Sequence, residues 1–194
     1  KARAAKMIIE DILGDEDWAG KVRFVNTGSE AVETALTIAK LYTGRPLVVS
    51  HEHGYHGWTG GAGAATRLRG YRSGLVGKTS ETPPLQIPGS YNSTIVTAPT
   101  PNAFKDAEGN YLKDENEELL SVKYTRRLIE NYGPESVAAV LTEVSQGAGS
   151  ATHPPEYIPQ IRKLTQDLGI LWINDEVMTG FGRLGKWFGY QHYG

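Results

Sequence analysis

The chain has 194 residues, 39% of them hydrophobic and 22% charged, with a net charge of -2. This is ordinary globular usage, far from disorder, and the near-neutral balance argues against a nucleic-acid binder, which would carry a basic face. No cysteine is present, which excludes disulfides, thiolate metal sites and a cysteine nucleophile, and fits a reducing cytoplasm.

The length suits one domain or a large part of one. No apolar run approaches the ~20 residues that a bilayer-spanning helix needs. Residues 2–13 read as an amphipathic helix with Ala5, Ile8, Ile9 and Ile12 on one face. Met7-Ile8-Ile9 is interrupted by Glu10 and Asp11, too soon for a signal peptide. Val22 to Val25 reads as a short strand that leads into Asn26-Thr27-Gly28-Ser29-Glu30. A helix follows to about Tyr42, with Val32, Ala35, Leu36 and Ala39 on one face and Gly44 as its stop. Pro46 to Ser50 carries the buried-strand run Leu47-Val48-Val49.

Residues 54–93 are rich in Gly, Pro and Ser and too long for a plain connection, which marks a functional loop region. Ile95 to Thr97 reads as a strand. Lys105 to Glu118 is a polar surface excursion leading into a helix that runs to about Tyr132 and is broken by Gly133-Pro134. Val137 to Glu143 is a strand ending in a carboxylate. Pro154-Pro155 opens a helix with Ile158, Ile161, Leu164 and Leu168 on its apolar face, stopped by Gly169. Ile170 to Ile173 is a continuous apolar run that ends at Asn174-Asp175-Glu176. The alternation predicts an α/β fold, a mostly parallel sheet with helices on both faces.

Thr27-Gly28-Ser29-Glu30 lies where a strand turns into a helix. The first N–H groups of that helix have no internal partner, and the positive end of its dipole stands behind them, so the turn can seat a phosphate. Thr27 and Glu30 also have capping-box spacing, a purely structural reading. Asp175 follows an uncharged strand, and ligands of open parallel sheets gather beyond the carboxyl ends of strands. A carboxylate there can hold a protonated pyridine nitrogen, cap a helix or bind a metal. Glu143 ends another strand, and the two acids could equally share a magnesium ion.

His51, His53 and His56 suggest a metal site, but nothing in the sequence completes a ligand set. Tyr55-His56-Gly57-Trp58 instead offers aromatic rings able to cover a flat ligand, or simply to pack a loop. Gly180 to Lys186 fits both Gly-x-Gly-x-x-Gly and most of a P-loop. Trp187 stands where a P-loop needs Ser or Thr, and the residues after it are poor helix formers.

Taken together, Asn26-Thr27-Gly28-Ser29-Glu30-Ala31, Tyr55-His56-Gly57 and Asn174-Asp175-Glu176-Val177 running into Thr179-Gly180-Phe181-Gly182-Arg183 resemble the class III (omega-amino-acid) aminotransferases of pyridoxal-phosphate fold type I. Pro154-Pro155-Glu156-Tyr157 fits the same pattern. The resemblance covers most of the chain, weakest from about Leu75 to Asn131.

It implies that Thr27, Gly28 and Ser29 hold the phosphate of pyridoxal 5'-phosphate. Tyr55 would stack on its ring with His56 beside it, Asp175 would pair with the ring nitrogen, and Val177 would pack on the other face. Asp175 and Glu143 are the expected catalytic carboxylates, and no metal is expected. Val144 replaces a proline of many members, and Met178 replaces a glutamine that reaches the cofactor's phenolic oxygen. The second change resembles the branch that passes amino groups from omega-amino acids or amines to pyruvate.

The resemblance also places the Schiff-base lysine on a later strand. Only 19 residues follow Asp175, and Lys186 is no substitute. Residues 1–194 are therefore expected to form part of a cofactor-binding large domain, inactive alone, without the small C-terminal domain, from a cytoplasmic homodimer acting on amine and keto-acid substrates. A P-loop or dinucleotide enzyme built on Gly180 to Lys186, and a non-catalytic aminotransferase-like interaction domain, are the alternatives.

Overall fold

In the computed structural model the described residues are 1–67, 94–147 and 151–193. Branched apolar residues build a parallel sheet in the order β2-β1-β3-β6, with β1 at Leu47–His51, β2 at Ile95–Ala98, β3 at Val137–Glu143 and β6 at Leu171–Asp175. Parallel strands need crossovers, and helices supply them on both faces, as the sequence predicts. Ser145–Gln146 (β4) and Ala151–Thr152 (β5) form a separate antiparallel ribbon.

Every residue of β3 is buried because both of its faces are covered. Val48, Ala139 and Leu141 pack against Val32, Leu36 and Ala39 of helix α2, Gly28–Thr43. Val49, Val137 and Val140 pack against the other layer, which holds Val122 and Ile129 of α4, Leu120–Tyr132, and Tyr157, Ile158, Ile161 and Leu164 of α5, Tyr157–Asp167. Gly44, with φ 69°, ends α2 in the left-handed conformation that glycine adopts without penalty. The residues of β6 are only half-buried, since on the side away from β3 it pairs with no strand among the described residues.

Three expectations change. Val22 to Val25 forms no strand: the segment has no ladder partner among the described residues, and apolar alternation alone cannot provide one. The first helix, α1 at Ala2–Met7, continues as a π-helical turn over Ile8–Ile12. The long loop contains a short helix, α3 at Gly60–Ala65, despite its glycines. Burial of Gly61 to Ala65 and acceptance of the Ala62 N–H by Glu33 Oε1, at 3.1 Å, offset the poor propensity. The remainder of the predicted loop, 68–93, lies outside the described residues. The excursion at 105–118 folds on itself: Asp106 Oδ1 accepts the N–H groups of Glu108 and Asn110, and Asp114 Oδ1 those of Asn116 and Glu118.

Leu36 is 3% exposed between α2 and the sheet, whereas Leu41, on the same helix, is 80% exposed. Leu36→Ala is expected to destabilise the protein by about 2–5 kcal/mol and Leu41→Ala by less than about 0.5 kcal/mol, measured by urea unfolding. Equal effects would mean that α2 packs through a different face.

Candidate cofactor site

The register of the sheet sets Glu143 beside Asp175 at the carboxyl ends of neighbouring strands. Both side chains are almost fully buried. Asp175 Oδ2 lies 2.8 Å from His56 Nδ1, and Oδ1 accepts the Val177 N–H at 3.1 Å. An ionised carboxylate only accepts, so the imidazole hydrogen sits on Nδ1. Glu143 Oε1 accepts the Tyr55 N–H at 2.9 Å and Oε2 the Gly147 N–H at 3.3 Å. Burial pushes the Glu143 carboxyl above its ordinary pKa; His56 and the Tyr55 N–H pull it back, and neighbouring Asp175 adds to the rise.

His56 is itself held through its backbone. Its N–H donates to Thr66 Oγ1 at 2.9 Å, and the Thr66 hydroxyl faces the carbonyls of Gly57 and Ala62 at 2.8 and 3.1 Å. Gly54 leaves the necessary space, since a Cβ there would stand 3.0 Å from His56 Nε2 and 3.1 Å from the His51 carbonyl. Thr66, Gly54, Gly147 and Glu33 had no signal in the sequence. A threonine after a run of alanines gains its role only when the chain folds back on residues 56 and 57.

The N-terminus of α2 closes the other side. Thr27 is the N-cap, with Oγ1 accepting the Glu30 N–H at 3.2 Å. Glu30 Oε2 reaches back to the Asn26 N–H at 2.7 Å, one residue earlier than a capping box would place it. Ser29 Oγ accepts the Trp58 N–H at 3.3 Å. Gly57 has φ 125°, and a Cβ on it would collide with Ser29, so glycine is required on both counts. A Cβ on Gly28 would lie 3.4 Å from Val177. The helix turn, the 55–58 loop and the residue after β6 thus come together around the two carboxylates. The Tyr55 and Trp58 rings meet edge to face at 6.0 Å. Val177 is 66% exposed beside Asp175, an apolar surface that a flat ring could cover.

Other sequence candidates part from this cluster. Glu176 Oε1 accepts from Asn174 Nδ2 and the Tyr190 N–H, and Oε2 from the Thr179 hydroxyl and the Gly189 N–H, at 2.6–2.9 Å. It thereby ties down the glycine loop. Gly180 to Lys186 is made of turns and bends, with only a 3-10 turn at Gly189–His192 behind it, so the helix that a nucleotide-binding loop needs is missing. Lys186 Nζ donates to the Gln191 carbonyl. His51 is buried, its Nδ1 3.2 Å from the Leu141 carbonyl. Among the described residues no group of three or more His, Asp or Glu side chains is arranged to hold a metal. A cavity of about 880 Å³ lies along the outer side of β6, between Trp18, Arg162, Trp172 and Tyr190, and neither Glu143 nor Asp175 lines it. Among the described residues no helix is long and apolar enough to cross a membrane.

The family model for class III aminotransferases matches residues 1–194. The chain belongs to that family, whose members depend on pyridoxal phosphate. An S-selective transaminase from Bacillus megaterium superposes with a TM-score of 0.93 at 77% identity, over 100% of this chain and 42% of that one. An S-selective transaminase from an Arthrobacter species with alanine bound gives 0.93 and 74%, over 100% and 41%. A putrescine–pyruvate aminotransferase from Pseudomonas aeruginosa is 34% identical over 89% of this chain and 36% of its own. The chain therefore spans well under half the length of these relatives.

Burial lowers the pKa of His51 and of His153 to about 4. The unfolded chain takes up these protons near pH 6.5, while the folded protein resists until about 4. Their stabilising effect is thus present above the unfolded pKa and is lost as the pH falls through the folded one. The raised Glu143 carboxyl works in the opposite sense. Thermal unfolding should show stability falling from pH 6.5 towards 4, with a shallower fall in His51→Asn. An identical slope in the variant would place His51 in solvent.

Proposed function

We propose that this chain is the cofactor-binding part of a transaminase that moves an amino group from an omega-amino acid or an amine to a keto acid such as pyruvate. The observation that carries the reading is the buried Glu143–Asp175 pair with His56 on Asp175, set against the N-terminus of α2. Bound pyridoxal phosphate would supply the electron-withdrawing ring through which an amino group passes between two carbon skeletons.

The residues present suit that group. The hydroxyls of Thr27 and Ser29 each accept a backbone N–H, which leaves their own protons to donate to a phosphate. The first-turn N–H groups and the helix dipole act in the same direction. Asp175, oriented by His56 and the Val177 N–H, offers a carboxylate to the ring nitrogen and keeps it protonated. Tyr55 and Val177 supply the two ring faces. Glu143 holds Tyr55 through its backbone N–H.

Met178 stands where many family members carry glutamine, and its thioether cannot donate a hydrogen bond, which favours the amine–pyruvate branch. The Arthrobacter transaminase with alanine bound and the putrescine–pyruvate relative support the same substrate pair. The chain spans 36–42% of the length of these relatives, so the activity is proposed of the whole protein and not of residues 1–194 alone. The cysteine-free composition suits a cytoplasmic enzyme.

The direct test is pyruvate-dependent amino transfer by the full-length protein supplied with pyridoxal phosphate, where alanine should appear. In that protein Asp175→Asn should lower turnover at least tenfold with little loss of stability. A hydrogen bond to a charged group contributes about 1.5–3 kcal/mol, and 1.36 kcal/mol of barrier is tenfold in rate. Undiminished turnover would remove Asp175 from the ring nitrogen.

Tyr55→Ala should release the cofactor more readily while Tyr55→Phe retains it, since stacking needs only the ring and contributes about 0.5–1.5 kcal/mol beyond burial. Equilibrium dialysis against pyridoxal phosphate measures this. Equal affinities in all three proteins would return Tyr55 to loop packing.

A further inference from the structure

On the α5 side of the sheet, behind Glu143, three polar side chains meet with one buried polar atom left over on each. His51 ends β1, His153 precedes α5, and Tyr157 is the first residue of α5. The Tyr157 ring meets His51 edge to face at 6.0 Å and His153 at 4.5 Å. His51 Nδ1 bonds to the Leu141 carbonyl, so the hydrogen sits there and Nε2 is a bare acceptor. His153 bonds to the Glu143 backbone, and its Nδ1 is left over. The leftover atoms are His51 Nε2, His153 Nδ1 and the Tyr157 hydroxyl, each buried and without a hydrogen-bond partner among the described residues.

Two bare acceptors and one hydroxyl cannot satisfy one another directly, because a bond from Tyr157 to either imidazole leaves the other unpaired. One water balances the set: it donates one hydrogen to each imidazole nitrogen and accepts the Tyr157 O–H. Buried waters typically make about three such bonds.

We propose that His51, His153 and Tyr157 form an internal site for a single ordered water that anchors the end of β3 carrying Glu143. The depressed pKa values of both histidines, which burial causes, keep the imidazoles neutral and able to accept. Through Leu141 and Glu143 the histidines grip the last carbonyls of β3, and the water joins those grips to α5. The three are positioning residues for Glu143, whose carboxylate receives the Tyr55 N–H. The water site stands independently of the cofactor; only the importance of Glu143 rests on the proposed function.

A high-resolution crystal structure of the full-length protein should show one water within hydrogen-bond reach of all three atoms. A direct contact between Tyr157 and an imidazole, or an empty gap, would overturn the site. Nitrogen-15 spectra of the histidines should give the Nδ1–H tautomer for His51 and the Nε2–H tautomer for His153, and the reverse for either would also overturn it. Tyr157→Phe keeps the ring and removes the donor, so the water should be lost and the Tyr55 amide proton resonance should shift. An unmoved Tyr55 amide in a variant that has lost the water would refute the positioning role. None of these signals reports amino transfer, so the water site and the transaminase reading can fail separately.

Discussion

Two buried carboxylates side by side at the ends of adjacent strands are the constraint from which the site follows. The register that pairs Glu143 with Asp175 puts both acids at one height on neighbouring strands. A buried charge costs several kcal/mol unless hydrogen bonds surround it. The surrounding backbone is arranged to supply them: the N–H groups of Tyr55 and Gly147 go to Glu143, and His56 and the Val177 N–H go to Asp175. Each acid fixes one point of the 54–58 segment over the strand ends, Glu143 the Tyr55 N–H and Asp175 the His56 ring.

That segment explains why small residues gather around the site. Gly57 must be glycine because it lies against Ser29 with a positive φ, and Gly54 because His56 Nε2 and a carbonyl crowd it. Thr66 then fixes the 56–57 backbone from α3, and Glu33 fixes α3 from α2. The chain of contacts runs from the N-terminus of α2 through the aromatic loop to the strand-end carboxylates. These three motifs, far apart in sequence, therefore act as one unit.

The glycine loop shows how a pattern can mislead when its context is missing. Gly180 to Lys186 satisfies two nucleotide motifs by residue type, yet neither works without a helix whose N-terminus faces the phosphate. Here Glu176 takes the N–H groups of Gly189 and Tyr190, and the residues after the loop make only a short 3-10 turn. The loop is scaffold held by a carboxylate.

The sequence by itself determined the layering: branched apolar runs mark β1 and β3 as strands buried on both faces and β6 as a strand beside them, and the periodic helices between them suit parallel pairing. It also offered candidate site residues: local pattern puts Thr27-Gly28-Ser29 at a helix start, Glu143 and Asp175 at strand ends and Tyr55 in a glycine-rich loop, while the cofactor roles of these residues and of His56 and Val177 come from the family resemblance. Only the tertiary structure decided that Val22 to Val25 has no strand to pair with among the described residues, since a ladder needs a partner that no local pattern can specify. The support from Thr66, Gly54 and Glu33 was likewise hidden, because each acts on backbone brought near by folding. So was the polar trio behind Glu143: a histidine at a strand end, another in a loop and a tyrosine opening a helix carry no mutual signal until the sheet and α5 set their rings together.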